Sequence, residues 1–476
     1  MQIPSKGLSK TEILHALESL KQNDLAWRTG RVLAYTYDLG KEADELTKAA
    51  FTMFLSENAL DPTSFPSLVK LETDVVRMII DLVRGGDAVV GSFTSGGTES
   101  ILLAVKTARD WARANKPHIK QPELIVPRTA HSAFHKAAAY FDLKIVVAPV
   151  DPATFRANVD EMRARITENT ILLVGSAPSY GHGVIDPIEG IAALAQEKGL
   201  LCHVDGCVGG IHFSFMRRMG YDLPAFDFSV PGVTSMSADM HKYGYSAKGA
   251  SVVMYRNKEL RRHQIFACAS SSTYALINPT ILSTKSGGPI AGAWAILHYL
   301  GEEGYREVVR GVMDATRRMI EGIGRIDGIR VLGKPDICMF AIASDTINIY
   351  QLADEMRTRG WYLQPQFSIE GLPANLHITV NQNSLPVVDE FLAVLKDAVE
   401  AVKRDPDPID ANAVREQIES LLAQPGDASL KDLAAMVGID GTKLPEKMAL
   451  LNTILDIIPD NLTEEVLIEF ENDLYA

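Results

Sequence analysis

Cysteine is scarce. Only Cys202, Cys207, Cys268 and Cys338 occur in 476 residues, and no two stand in a C-x-x-C pair. No disulfide framework or metal site is therefore expected, and the thiols read as buried ones in a reducing cytoplasm. No uninterrupted apolar run reaches 18 residues, and Met1-Gln2-Ile3-Pro4-Ser5-Lys6 leads to no apolar h-region. Neither a membrane span nor a secretory signal is read. Positive charge is also short: 47 Lys and Arg face 60 Asp and Glu, for a net charge of −13. That balance argues against nucleic acid, whose binding needs clustered cations. There is no low-complexity tract and no fixed-period repeat. What remains is a chain 46% hydrophobic and long enough for two or three domains with a large core.

Residues 9–26 and 40–57 read as helices of an N-terminal arm covering 1–60. From 61 to 300, short apolar strands (Leu124–Val126, Lys144–Ala148, Ile171–Val174, Leu201–Val204) alternate with helical patterns. Such alternation signals an α/β fold with a mostly parallel sheet covered on both faces. From 301 to 403, patterns such as Cys338–Ala343 and Leu376–Val380 suggest a small α/β domain. Arg404-Asp405-Pro406-Asp407-Pro408 then reads as a linker, since proline halts a helix. The segment beyond it, residues 411–476, holds 13 Asp and Glu against 4 Lys and Arg. Leu451, Ile454, Leu455 and Ile458 recur there at helical spacing, a stripe that must be buried against the enzyme body or against a partner.

Four stretches carry chemistry. In Ser237-Ala238-Asp239-Met240-His241-Lys242-Tyr243-Gly244, a lysine able to form a Schiff base with a carbonyl cofactor follows a histidine able to shuttle protons. Upstream, Leu201-Cys202-His203-Val204-Asp205-Gly206 reads as a buried strand ending in an acid. Such an acid could hold a proton on the pyridine nitrogen of pyridoxal 5′-phosphate (PLP), or equally cap the next turn. Val90-Gly91-Ser92-Phe93-Thr94-Ser95-Gly96-Gly97-Thr98-Glu99 is a strand, a small-residue turn and a helix start, which together make a phosphate cup. It has neither a Walker ending nor a G-x-G-x-x-G fingerprint. Between cup and acid, Pro127-Arg128-Thr129-Ala130-His131 offers an imidazole that could stack on a flat cofactor.

Cup, stacking histidine, strand-end acid and lysine in this order resemble the group II PLP-dependent decarboxylase superfamily of fold type I. Two further stretches, Gly175-Ser176-Ala177-Pro178-Ser179-Tyr180-Gly181-His182-Gly183 and Tyr243-Gly244-Tyr245-Ser246-Ala247-Lys248-Gly249, resemble its sphingosine-1-phosphate lyases, bacterial type. The likeness runs from about Tyr35 to about Lys403. It implies a large PLP-binding domain, a small C-terminal α/β domain and a homodimer with shared active sites. It also implies that Gly97 and Thr98 hold the cofactor phosphate, His131 stacks on the ring, Asp205 pairs with the ring nitrogen and Lys242 carries the Schiff base. Tyr180 and His241 would join Lys242 in the proton transfers, and Lys248 would meet a substrate phosphate. Tyr37 and Asn58 would be lent across the dimer interface, and Thr284 would reach the neighbour's cofactor.

One position departs from the family. Its Asn-x-x-His is here Asn58-Ala59-Leu60-Asp61, a carboxylate where a histidine would bind the substrate phosphate. The expected reaction is cleavage of a phosphorylated sphingoid base to an aldehyde and phosphoethanolamine. An amino-acid decarboxylase is the alternative, because the superfamily shares the cofactor residues. The likeness says nothing of residues 404–476, expected to be an acidic helical extension.

Overall fold

The structure, a computed structural model, describes residues 2–270, 275–405, 416 and 444–476. The chain opens with helices α1 (Lys10–Leu20), α2 (Lys41–Met53) and α3 (Pro66–Leu82). Strands then alternate with helices: β1 (Val90–Thr94), α4 (Gly97–Asn115), β2 (Glu123–Pro127), α5 (Ala133–Phe141), β3 (Lys144–Ala148), α6 (Val159–Ala164), β4 (Thr170–Ser176), α7 (Ile188–Glu197), β5 (Leu201–Asp205), α8 (Gly209–Arg218) and β6 (Ser235–Ala238). β7 (Ser251–Tyr255) and the short α9 (Lys258–Arg261) follow.

These strands form one seven-stranded sheet in the order β1-β7-β6-β5-β4-β2-β3. β7 runs antiparallel to both its neighbours, and the other pairings are parallel. β2, β4 and β5 are buried along their whole length. Helices cover both faces, so side chains pointing either way meet apolar atoms, and continuous Leu/Ile/Val runs rather than alternating ones fit them. The architecture is the large-sheet α/β fold that the alternation predicts, and the expected strands fall on β2, β3, β4 and β5.

Beyond a two-stranded ribbon, β8 (Phe266–Cys268) and β9 (Leu276–Asn278), the helix α10 (Gly288–Ile323) leads out of the large domain. The expected boundary near 300 falls inside α10, at Gly301, whose φ of 55° breaks the helical backbone. The small domain is a four-stranded antiparallel sheet in the order β10 (Arg330–Val331), β11 (Met339–Ala343), β13 (Asn375–Thr379), β12 (Gln364–Gln366). α11 (Ile349–Thr358) and α12 (Val388–Arg404) pack with it.

The N-terminal arm divides into two behaviours. None of the residues of α1 is buried, and Ile13, Leu14, Leu17 and Leu20 are exposed. Residues 32–37, by contrast, belong to the enzyme body. Leu33 N donates to Tyr362 O at 2.9 Å, Thr379 N donates to Leu33 O at 2.7 Å, and Leu33 is fully buried. An arm wholly peripheral to its own core is therefore corrected for this stretch, because extended backbone is satisfied by joining a sheet.

The C-terminal stripe is docked on the small domain. α13 (Ala449–Ile457) packs on α11, and α14 (Asp460–Leu474) follows. Asp354 accepts from Met448 N and Ala449 N at 2.9 and 2.8 Å, satisfying two amides that a helix start leaves open. Leu451, Ile454 and Ile458 are buried. The expected linker lies partly outside the described residues: α12 runs through Arg404 and Asp405 caps it. Cys202, Cys207 and Cys338 are buried free thiols, and no helix among the described residues is long and apolar enough to cross a membrane.

Candidate active site

Five strand ends deliver the residues of one cavity of about 320 Å³, within the size range of small-molecule sites. β1 ends at Thr94 and gives Ser95, Gly96 and Gly97; β2 leads to His131; β4 leads to Pro178 and Tyr180; β5 ends in Asp205; β6 leads to Asp239, His241 and Lys242. Parallel strands end on the same edge, and a crevice there is where an open α/β sheet binds ligands.

The cup is built for close approach. Gly96 has φ +153°, a conformation that side chains rarely adopt, and no side chain caps α4, so its first amides stay open. A Cβ on Gly97 would stand 2.7 Å from an Asp239 carboxylate oxygen and 2.9 Å from Cys207 Sγ, so only glycine fits. Glu99, buried in the first turn, accepts from Ser95 N at 2.6 Å and from Ile281 N at 2.7 Å, tying the cup to the loop after β9.

Asp205 accepts from Cys207 N at 3.0 Å and is approached by Ser237 Oγ at 3.4 Å. Beneath it, fully buried His203 bonds Ser235 Oγ at 2.9 Å through Nδ1, and burial pushes its pKa down to about 4. His131 Nδ1 accepts from Ala133 N at 3.1 Å, which fixes the ring at the start of α5. Burial also lowers the His131 pKa, against the pull of Asp205, so the ring is a neutral, flat surface at neutral pH.

Asp239 is the functional group that motif reading passed over. It is 2% exposed, and one of its oxygens lies 3.0 Å from Lys242 Nζ and 3.6 Å from His241 Nε2. Neither oxygen has an aligned hydrogen-bond donor, so the contact with Lys242 is a charge pair. Burial pushes the Lys242 pKa down, but Asp239, with smaller help from Cys207, Tyr37 and Asp205, outweighs this and leaves it above the ordinary lysine value. Burial raises the Asp239 carboxyl, and Lys242 and His241 bring it below its usual range. An acid three residues before a lysine on a strand end was the available signal.

The Tyr180 hydroxyl donates to Gln364 Oε1 at 2.7 Å, and its ring stacks on His377 with centroids 4.2 Å apart. Burial pushes its pKa up to about 12, so it is a proton donor near neutrality. Lys248 Nζ donates to Tyr35 O at 3.2 Å and lies 5.0 Å from the centre of the Tyr37 ring. Burial and the neighbouring charge of Lys242 both lower the Lys248 pKa.

Tyr37 lies outside the lining of the cofactor cavity. It packs edge-on against Tyr243 with centroids 5.0 Å apart and feels the charge of its own chain's Lys242. Val32 and Leu33 pair with the small-domain strands at Tyr362 and Thr379, which brings the following Tyr37 beside Lys248 of its own chain. Asn58, Asp61 and Thr284 are not brought to this cavity. Asn58 Oδ1 accepts from Lys285 N at 3.2 Å, and Ala59 N donates to Lys285 O at 2.8 Å, which puts the loop bearing Thr284 beside Asn58. Asp61 is exposed and caps a turn, accepting from Thr63 N at 2.8 Å, Thr63 Oγ1 at 2.7 Å and Ser64 Oγ at 3.1 Å. These bonds lower its pKa.

A phosphate cup at a helix start, a neutral ring surface, a strand-end acid and a buried lysine around one cavity define the class of fold-type-I PLP enzymes. The residues fit the cofactor: the glycine cradle and the open amides suit a phosphate, and Ser176 Oγ in the same wall is buried without a partner. Comparison with known proteins agrees. The profile of the pyridoxal-dependent decarboxylase conserved domain matches residues 25–338, and that of a C-terminal HTH domain of pyridoxal-dependent enzymes matches 397–472. The chain is 43% identical over 415 residues to sphingosine-1-phosphate lyase of Arabidopsis thaliana, covering 86% of this chain and 75% of the relative. The solved structure of a Burkholderia pseudomallei sphingosine-1-phosphate lyase superposes with a TM-score of 0.81 at 36% identity, over 90% of this chain and 98% of that one. Lactobacillus brevis glutamate decarboxylase, at 21% identity and TM-score 0.74 over 84% of this chain and 94% of that one, shares the fold. The chain belongs to the pyridoxal-dependent decarboxylase family and, within it, to the sphingosine-1-phosphate lyases. It is a PLP-dependent lyase.

Proposed function

We propose that this enzyme cleaves the carbon–carbon bond of a phosphorylated sphingoid base, giving a long-chain aldehyde and phosphoethanolamine. The observation that carries the reading is the Lys242–Asp239–His241 cluster facing Asp205 across a cavity that Tyr180 closes, in a chain 43% identical to a lyase of that name.

Bound PLP supplies an electron sink for a bond beside the substrate's amine. The chain's residues do the rest. Gly97, Thr98 and the open amides of α4 would hold the cofactor phosphate, and His131 would offer its neutral face to the ring. Asp205 would hold a proton at the ring nitrogen. Lys242 would hold the cofactor covalently, and Asp239, 3.0 Å from its Nζ, would balance the positive charge of the amine when it is free. Cleavage needs the substrate hydroxyl to lose its proton and the carbon left beside the amine to gain one. His241 and Lys242 are placed to take the first proton, and Tyr180, protonated near neutrality, to give one back. Lys248, with Tyr37 beside it, suits an anionic head group.

The working unit in this reading is a cytoplasmic homodimer. The exposed apolar stripe of α1 supports it, as does the clustering of Asn58 with the Thr284 loop outside the lining of their own chain's cavity. Incubating the PLP-loaded enzyme with a phosphorylated sphingoid base and, separately, with amino acids tests the function. Aldehyde from the first is expected; carbon dioxide from the second without aldehyde overturns it in favour of a decarboxylase.

A further inference from the structure

Outside Tyr180 lies a second cleft, of about 710 Å³, which adjoins the cofactor cavity: His131 and Tyr180 line both. One wall of this cleft is the turn after β12, which lines it with Phe367, Ile369 and Pro373 over a buried Leu372, beside Glu370, whose carboxylate pairs with Arg128 at 2.6 Å. Ile369 is 43% exposed there, on a tight turn closed by the Ile369–Leu372 bridge. The turn does not stand alone. Asp456 on α13 accepts from Ser368 N at 2.5 Å and from Ser368 Oγ at 2.9 Å. Asp460, the first residue of α14, lines the same cleft, and Glu464 one turn on lies near enough to His135 of α5 to bear on its charge.

The C-terminal helices thus touch the cleft from two directions, and α13 is anchored below by Asp354. Their acidity opposes a nucleic-acid phosphate backbone as partner. We infer that α13 and α14 are a specificity element of this lyase: they hold the Phe367–Pro373 turn as the seat of the substrate's alkyl chain. The inference rests on the proposed function for the identity of that chain. The geometry orders the substrate across the site, with the anionic head toward Lys248, the reacting carbons at Lys242 and the chain leaving past Tyr180. Asp456 is a positioning residue in this arrangement, because it acts through Ser368 and touches no reacting group.

The test uses the full-length PLP-loaded enzyme and Asp456→Ala, with two readouts. The first is kcat and KM for long- and short-chain phosphorylated sphingoid bases. The second needs no turnover: the rate at which methoxyamine and a long-chain alkoxyamine bleach the visible band, each displacing Lys242 as a neutral amine and forming an oxime. In both readouts the preference for the long chain is expected to fall about tenfold, equivalent to ~1.4 kcal/mol, with kcat and the visible band unchanged. Asp456→Asn, which keeps an acceptor for Ser368 N, restores most of it. Should Asp456→Ala melt early, Ser368→Ala gives the same sign at smaller amplitude. Unchanged preference in both readouts, or an equal loss for both chain lengths, overturns the inference. A response to the alkoxyamines in an enzyme that cleaves no sphingoid base overturns the proposed substrate instead.

Discussion

Asp239→Asn isolates the electrostatics around Lys242, because the amide keeps the size of the carboxylate and removes its charge. At 3.0 Å and an effective dielectric constant of about 20, the pair is worth about 5.5 kcal/mol, or ~4 pH units on the lysine. That is an upper value, since water entering the cavity screens it. In the wild type the amine's pKa stands above the ordinary lysine value, so below pH 10 almost all of it is ammonium and cannot attack a carbonyl. The rate at which apo protein captures PLP, followed by growth of the visible band, should rise about tenfold per pH unit from pH 6 to 10. In Asp239→Asn the buried ammonium loses its largest counter-charge, leaving burial opposed only by the weaker pull of Cys207, Tyr37 and Asp205. Its pKa falls, and the rise should shift down by several pH units, so that capture at pH 7 is at least about a hundredfold faster than in the wild type. Parallel profiles for the two proteins would refute the claim that Asp239 sets the charge of Lys242.

Tyr180→Phe should lower kcat by about 10²–10⁴-fold, the usual worth of a positioned proton donor, while PLP content and the visible band stay as they were. Because the Tyr180 pKa is pushed up to about 12, the wild-type rate should show no limb from this group between pH 6 and 10, and one appearing there would count against a donor role. Acid should unfold the enzyme through its buried histidines. His182, His203, His212 and His377 have pKa values pushed down by burial to about 4, 4, 3 and 4. Folded pKa values below the unfolded value of about 6.5 leave stability intact above that pH and remove it as pH falls toward about 4. Each group contributes up to about 1.4 kcal/mol per pH unit in that window, so the urea midpoint should drop steeply from pH 7 to pH 5; a midpoint that does not move would show the rings to be charged or exposed.

Strand ends were legible because their signals are local. A buried apolar run closed by Asp205, or by the glycines after Thr94, announces both its strand and its chemistry within ten residues. The assembly was legible only in outline. Asp239 sits three residues from Lys242 in a stretch already singled out, yet its importance comes from lying under Gly97, a contact made by the register of β6 and β1 about β7. The partner of Tyr180, Gln364, stands in another domain, and no spacing rule joins them. A resemblance names a role for Tyr37 without saying which strands its segment joins, and in the fold the preceding Leu33 pairs with Tyr362 and Thr379 of the small domain. Asp61 looks like a misplaced charge in the motif, whereas in the fold its carboxylate is spent on Thr63 and Ser64.

Glu99 bonds Ser95 of the phosphate cup with one oxygen and Ile281 of the Thr284 loop with the other. A single rigid group therefore shares its orientation between the place where a cofactor is held and a loop on the outer face. Thermodynamic linkage makes such sharing reciprocal: whatever orders the loop tightens the cup, and whatever fills the cup orders the loop, by the same factor. In the proposed homodimer, association through that face would be linked to cofactor loading, and dilution of the protein and depletion of PLP should weaken each other's resistance.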